Sequence, residues 1–210
     1  MKTVNLRGKE KRIKFVEEYD LKPISHQKLL KGQVKESVGG SELTDRYYCF
    51  LYNKKGQTYQ DTFICGYYIA EDLLRLTEQD KLSLFNPLQA DVRNINRNNQ
   101  IEENNGQRGT RQWNDVAHQL SNAINLFIAY WDKPINGVLA KIHFEINKYY
   151  YNVPFDGKIK AVNTSLEKLL PNMTLKDVQQ ELSKENDIRD YEFNLLNEVL
   201  EAKGITSKFG

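Results

Sequence analysis

The sequence holds only two cysteines, Cys49 and Cys65, and three histidines among 210 residues. Two thiols cannot make a structural zinc site unless histidines or carboxylates complete it, and no C-x2-C pair is present. No apolar run is long enough to cross a bilayer. Residues 1–14 carry charge without an apolar stretch, so they do not read as a secretory leader. The expected location is the cytoplasm, with no membrane partner, and there both thiols stay reduced. Also missing are the glycine-rich dinucleotide fingerprint, the Walker loop and the GxSxG elbow. No cofactor and no metal are expected. The tripeptide Glu201-Ala202-Lys203 has the E-x-K form of some nucleases, but no partner aspartate accompanies it and chance accounts for it.

What is present suits a packed core. Hydrophobic residues make up 40% of the chain and aromatic residues 11%, which is not the composition of a disordered chain. A chain of 210 residues forms one sizeable domain or two small ones. The wealth of Lys, Asn and Tyr matches AT-rich coding and suggests a low-GC bacterium, phage or plasmid. The formal charge is only +2, but it is unevenly spread. Residues 1–35 hold ten Lys/Arg against four Asp/Glu, a net of +6, and residues 174–203 hold four against eight, a net of −4. A basic head and an acidic tail speak for charged partners.

The organising stretch is residues 113–131. Trp113, Val116, Leu120, Ile124, Phe127 and Trp131 recur at the spacing of one helix face, with Asp115, His118, Gln119 and Asn122 opposite. Asp132-Lys133-Pro134 ends the helix. Residues 135–153 repeat the pattern, although 138–147 also nearly alternate as a strand would. A periodic run of about fifteen residues is ordinary for a helix and long for a strand. The reading is an antiparallel helical hairpin joined through 132–137. Beyond it, 152–163 reads as irregular. Thr164-Ser165-Leu166-Glu167 reads as a capping box opening a short helix that Pro171 ends, and Thr174-Leu175-Lys176-Asp177 as a second. Residues 188–202 form the last helix, closed by Gly204.

The N-terminal half carries the β signal. Residues 9–19 read as a short helix, with Ile13 and Val16 on one side and bases on the other. Val38-Gly39-Gly40-Ser41 reads as a flexible break. Residues 46–65 read as a hairpin that turns at Asn53-Lys54-Lys55-Gly56. If Asn53 pairs with Gln57, Tyr47 faces Phe63, and Cys49 and Cys65 share a face without being opposite, so no disulfide is expected. Two strands alone are marginal and need a helix or a third strand against them. The helix after Gly66, burying Ile69, Leu73, Leu74 and Leu76, is the natural partner. Residues 91–110 are rich in Asn and Gly and almost free of apolar side chains, as a mobile loop or linker would be. The expected fold class is α+β, predominantly α. A basic N-terminal unit (1–90) with the hairpin 46–65 and a helix precedes a linker (91–110) and a helical bundle (111–210).

Two constellations are candidates for function. Arg111 and His118 are seven apart, which on one helix places them within about 20° of each other, with Asn122 and Asn125 extending the same polar line. Arg binds phosphate bidentately and His moves protons near neutral pH. This Arg-x6-His spacing, at the start of a helix in a helical bundle, resembles the signature of HEPN ribonucleases. The resemblance implies that Arg111 and His118 act on the scissile phosphate across a dimer interface; Gln112 stands where that family often has a smaller polar residue. The second constellation is the basic N-terminal segment. Its Lys9, Lys11, Arg12, Lys14, Lys28 and Lys31 offer charges to a phosphate backbone, with Phe15, Tyr19, Tyr47 and Tyr48 available to stack on bases. Three functions are compatible with these features. The first is a non-enzymatic protein that contacts nucleic acid or a nucleoprotein complex through the basic segment, in a phage, plasmid or defence setting. The second is a protein-interaction factor, an inhibitor or assembly subunit, using the bundle and the acidic helices. The third is a metal-independent ribonuclease using Arg111 and His118. The sequence leaves open whether the protein is an enzyme, and its oligomeric state.

Overall fold

A computed structural model describes residues 4–89 and 111–210; the linker expected at 91–110 lies outside them. In chain order its elements are α1 (Lys9–Glu18), β1 (Tyr19–Lys28), β2 (Lys35–Glu36), β3 (Glu42–Leu43), β4 (Arg46–Lys54), β5 (Asp61–Cys65), α2 (Tyr67–Leu76), α3 (Asp115–Trp131), α4 (Gly137–Lys148), α5 (Asp156–Leu169), α6 (Leu175–Ser183) and α7 (Asn194–Glu201). This is a mixed α+β fold in which helices predominate, with strands in the N-terminal part and helices in the C-terminal part. The chain divides into two compact units, Met1–Phe85 with Trp131–Asn147, and Asn86–Tyr130 with Lys148–Gly210.

In the first unit, sequence reasoning missed the short pair β2 and β3 and, more consequentially, the ten-residue strand β1. Pro23 cannot donate to a ladder, which argues against a strand. The sheet order is β1-β4-β5, so β1 lies at an edge, and its register shifts between Pro23 and Ser25. Edges and irregularities are where a sheet tolerates proline. The β4–β5 register also differs from expectation: Phe50, not Tyr47, stands opposite Phe63. The tight turn is there, Gln57 N–H donating to Lys54 C=O at 2.9 Å with Gly56 at φ 78, but the return strand starts only at Asp61. A shift by an odd number of residues exchanges faces. Cys49 and Cys65 therefore lie on opposite faces, as buried free thiols whose pKa burial raises.

One sheet face packs Leu21, Tyr48, Phe50 and Phe63 against Leu6 and Ala70, Leu73 and Leu74. On the other face Tyr47, Cys49 and Leu51 are equally buried. Residues of α4 reach that side, with Lys22 Nζ 5.3 Å above the Phe144 ring. Covering both faces explains why β4 is continuously apolar where a half-exposed strand would alternate. It also removes Tyr47 and Tyr48 from solvent, so neither ring is open to a base. Residues 38–41 form a hydrogen-bonded turn between β2 and β3, with Gly40 N–H donating to Ser37 C=O at 2.7 Å, in place of the expected break. A Cβ on Gly39 would stand 2.6 Å from Ile69 Cδ1, so a larger residue here makes the Ile69 side chain shift. The 138–147 ambiguity resolves to helix, with Leu139, Ile142, His143 and Ile146 buried at helical spacing.

The second unit is helical. Asn114 caps α3, its Oδ1 accepting from the backbone N–H of Val116 at 3.1 Å and of Ala117 at 3.2 Å. From Leu120 to Ala129 every residue of α3 except Asn122 is buried, a wider burial than the expected stripe. Asn125, expected on the polar line, is among the buried residues and donates to Ser121 Oγ at 3.3 Å. Helix α5 begins at Asp156, which overturns the irregular reading of 152–163 and places Thr164 inside the helix rather than at its cap. The buried set Ile159, Val162, Asn163 and Leu166 extends the helix back past the apparent capping box. The capping box at Thr174 and Asp177 is present and reciprocal. Helix α7 starts at Asn194, because Ile188 instead bridges to Leu88. No helix among the described residues is long and apolar enough to cross a membrane.

Candidate nucleic-acid interface

Helix α3 begins four residues after Arg111, so the helical spacing expected between Arg111 and His118 does not apply. The two side chains meet the same cluster by another route. The Arg111 guanidinium carbon lies 4.2 Å from the centroid of the Tyr151 ring. Tyr151 meets Tyr150 edge-on at 5.4 Å, Tyr150 lies 5.3 Å from Trp113, and Trp113 lies 5.5 Å from His118. Arg111 and His118 thus stand at the two ends of one chain of rings. The cap holds this chain together: Asn114 N–H donates to Tyr150 C=O at 2.9 Å, tying the start of α3 to the tyrosine run.

The tyrosine run continues into an exposed aromatic surface. A turn, Asn152 N–H to Tyr149 C=O at 2.9 Å, precedes α5. Tyr149 is 44% exposed and Phe155 78%. Each ring has its own cation, Lys148 Nζ at 5.3 Å from Tyr149 and Lys158 Nζ at 5.8 Å from Phe155. The only carboxylate in 148–160, Asp156, is paired with Lys203 at 2.8 Å. A guanidinium stacked on a ring keeps its N–H edge available for an oxygen anion, and exposed rings are available to stack on bases. The residues were legible as Lys148-Tyr149-Tyr150-Tyr151 and Lys158-Ile159-Lys160. Read as the end of a helix and an irregular stretch, they were not singled out.

The N-terminal cations fare differently from one another. Lys9, Lys11 and Lys14 are exposed on α1 and form no ion pair among the described residues, but Glu10, Glu17 and Glu18 share that helix. Arg12 is committed to the fold, with Nη2 at 2.7 Å from Asp72 and Nη1 donating to Leu6 C=O at 3.2 Å. Lys28 pairs with Asp45 at 2.5 Å, and together with Arg46 it holds the Asp45 carboxyl below the usual carboxylate range. Lys31 is exposed beside Gly32. Among the described residues no group of three or more His, Cys, Asp or Glu side chains is placed to hold a metal ion.

No curated protein and no solved structure matches the chain. A family model does match it, over residues 4–204, and the chain belongs to the family described as Uncharacterised conserved protein UCP028583.

Proposed function

We propose that the protein binds single-stranded nucleic acid, and that the strand lies on the second unit across Arg111, Tyr149 and Phe155. The observation that carries this reading is the ring chain from Arg111 through Tyr151, Tyr150 and Trp113 to His118, continued by exposed rings that each carry a cation. Bases stack on Tyr149 and Phe155, at about 1–3 kcal/mol per base. Arg111, Lys148 and Lys160 take phosphates. Exposed rings favour a single strand, because a duplex keeps its bases stacked on each other. Lys9, Lys11 and Lys14 on α1 offer the first unit a separate set of phosphate contacts that read no sequence.

A gel shift with labelled single-stranded RNA, single-stranded DNA and duplex DNA tests this, at low and moderate salt. The single strands shift, the duplex shifts less, and the affinity falls steeply with salt. Arg111→Ala and Phe155→Ala weaken the shift while circular dichroism stays unchanged. A strand that shifts equally with both variants, or no shift at low salt, overturns the reading.

A further inference from the structure

The first unit contains a cleft of about 360 Å³ beside α1, at the small end of the range for ligand pockets. Its inner wall is a set of rings that hold one another. Phe15 stacks on Tyr19 at 4.4 Å and 19°, and Tyr52 closes on them at 5.5 and 5.6 Å. Tyr59 lines the same cleft yet makes no ring contact among the described residues, and it is 70% exposed. The cleft is thus a slot lined by the three fixed rings and by Tyr59.

The polar groups of the slot select the occupant. Aromatic walls with a carboxylate suit a methylated ammonium, but here Lys54 lines the same cleft and offsets the charge of Asp61, whose oxygens are also held from within the fold. One accepts from Thr62 N–H at 2.8 Å and the other from Tyr52 OH at 3.5 Å. Lys54 forms no ion pair among the described residues, and repels a cation. The Gln57 side-chain amide, also in the lining, has no hydrogen-bond partner among the described residues. Such a lining suits a flat ring, with an amide for its edge and a lysine for a negative group attached to it. We infer that this cleft binds the base of a nucleotide, with Lys54 on the phosphate. A free mononucleotide and the end of a nucleic-acid strand share that chemistry. The inference is independent of the strand surface proposed on the second unit.

Isothermal titration of the full-length protein with AMP, adenosine and tetramethylammonium tests it. AMP and adenosine bind, and tetramethylammonium does not. Tyr59→Ala, a change at an exposed side chain, weakens AMP by at least about tenfold, the loss of one stacked ring. Lys54→Glu weakens AMP but leaves adenosine unchanged. Tyr59→Ala weakens AMP by the same factor in the Arg111→Ala background, which separates this cleft from the second unit. A 5′-phosphorylated trinucleotide that binds about tenfold tighter than AMP identifies the strand end as the source; equal or weaker binding identifies the free nucleotide. The inference is overturned if neither AMP nor adenosine binds, if AMP binding survives Tyr59→Ala, or if tetramethylammonium is preferred.

Discussion

Acid should destabilise this protein well above the carboxylate range, because two histidines are buried neutral, His26 and, more deeply, His143. It is 1% exposed on α4, and neither ring nitrogen has a hydrogen-bond partner among the described residues. Burial lowers its pKa from 6.5 to about 3. His26 is similar: burial, opposed by the hydrogen bond that Nδ1 donates to Leu82 C=O at 3.1 Å, lowers its pKa to about 4. The unfolded chain takes a proton on each histidine as pH falls below about 6.5, whereas the native state stays unprotonated. Protons therefore favour the unfolded state. The full stability is present above about pH 6.5 and is lost as pH falls toward the native values. From pH 7 to pH 5 each histidine costs about 2 kcal/mol. Asp45, Asp72, Asp177 and Asp190 are held below their ordinary values, so they titrate beneath this window. Urea unfolding at pH 5, 6 and 7 measures the effect in the wild type and in His143→Leu, an apolar side chain of similar size. The wild type loses about 4 kcal/mol over this range and the variant about half of that. The variant also gains about 1–3 kcal/mol at pH 7, since it no longer buries unpaired nitrogens. Equal pH dependence in the two proteins, or none in the wild type, refutes the reasoning.

Two further outcomes are expected. Phe209 is fully buried, and Asn163 secures the tail that carries it, donating to Thr206 C=O at 3.0 Å and accepting from Lys208 N–H at 2.7 Å. Phe209→Ala should cost about 3–5 kcal/mol in urea unfolding; a loss under about 1 kcal/mol would show that the tail is not part of the core. RNA recovered from the shifted complex in the presence of a chelator should be intact. Cleavage that disappears in His118→Ala and Arg111→Ala would replace the binding reading by the ribonuclease one.

Some of this molecule is written in local spacing. The helix ending at Trp131, the capping box at Thr174–Asp177 and the helix after Gly66 were all legible, because helical hydrogen bonds and caps join residues three or four apart. The α+β class followed from these together with the β-forming run and the turn at 53–56, which are equally local. The tertiary structure decided the remainder. Pro23 hides β1 from any local reading; only its place at the sheet edge makes the strand possible. The β4–β5 register depends on where the return strand begins, and that shift of three residues decides which face each cysteine occupies. Tyr47 was open to a functional reading until a helix from residues 137–148 proved to reach its face of the sheet, and Tyr48 until Leu6 and α2 proved to close the other. At the candidate interface the sequence pointed to Arg111 and His118 but linked them through a helix turn. The actual link runs through Trp113 and through Tyr150 and Tyr151, some forty residues further on. Contacts of that kind join residues far apart in the chain, so no periodicity records them.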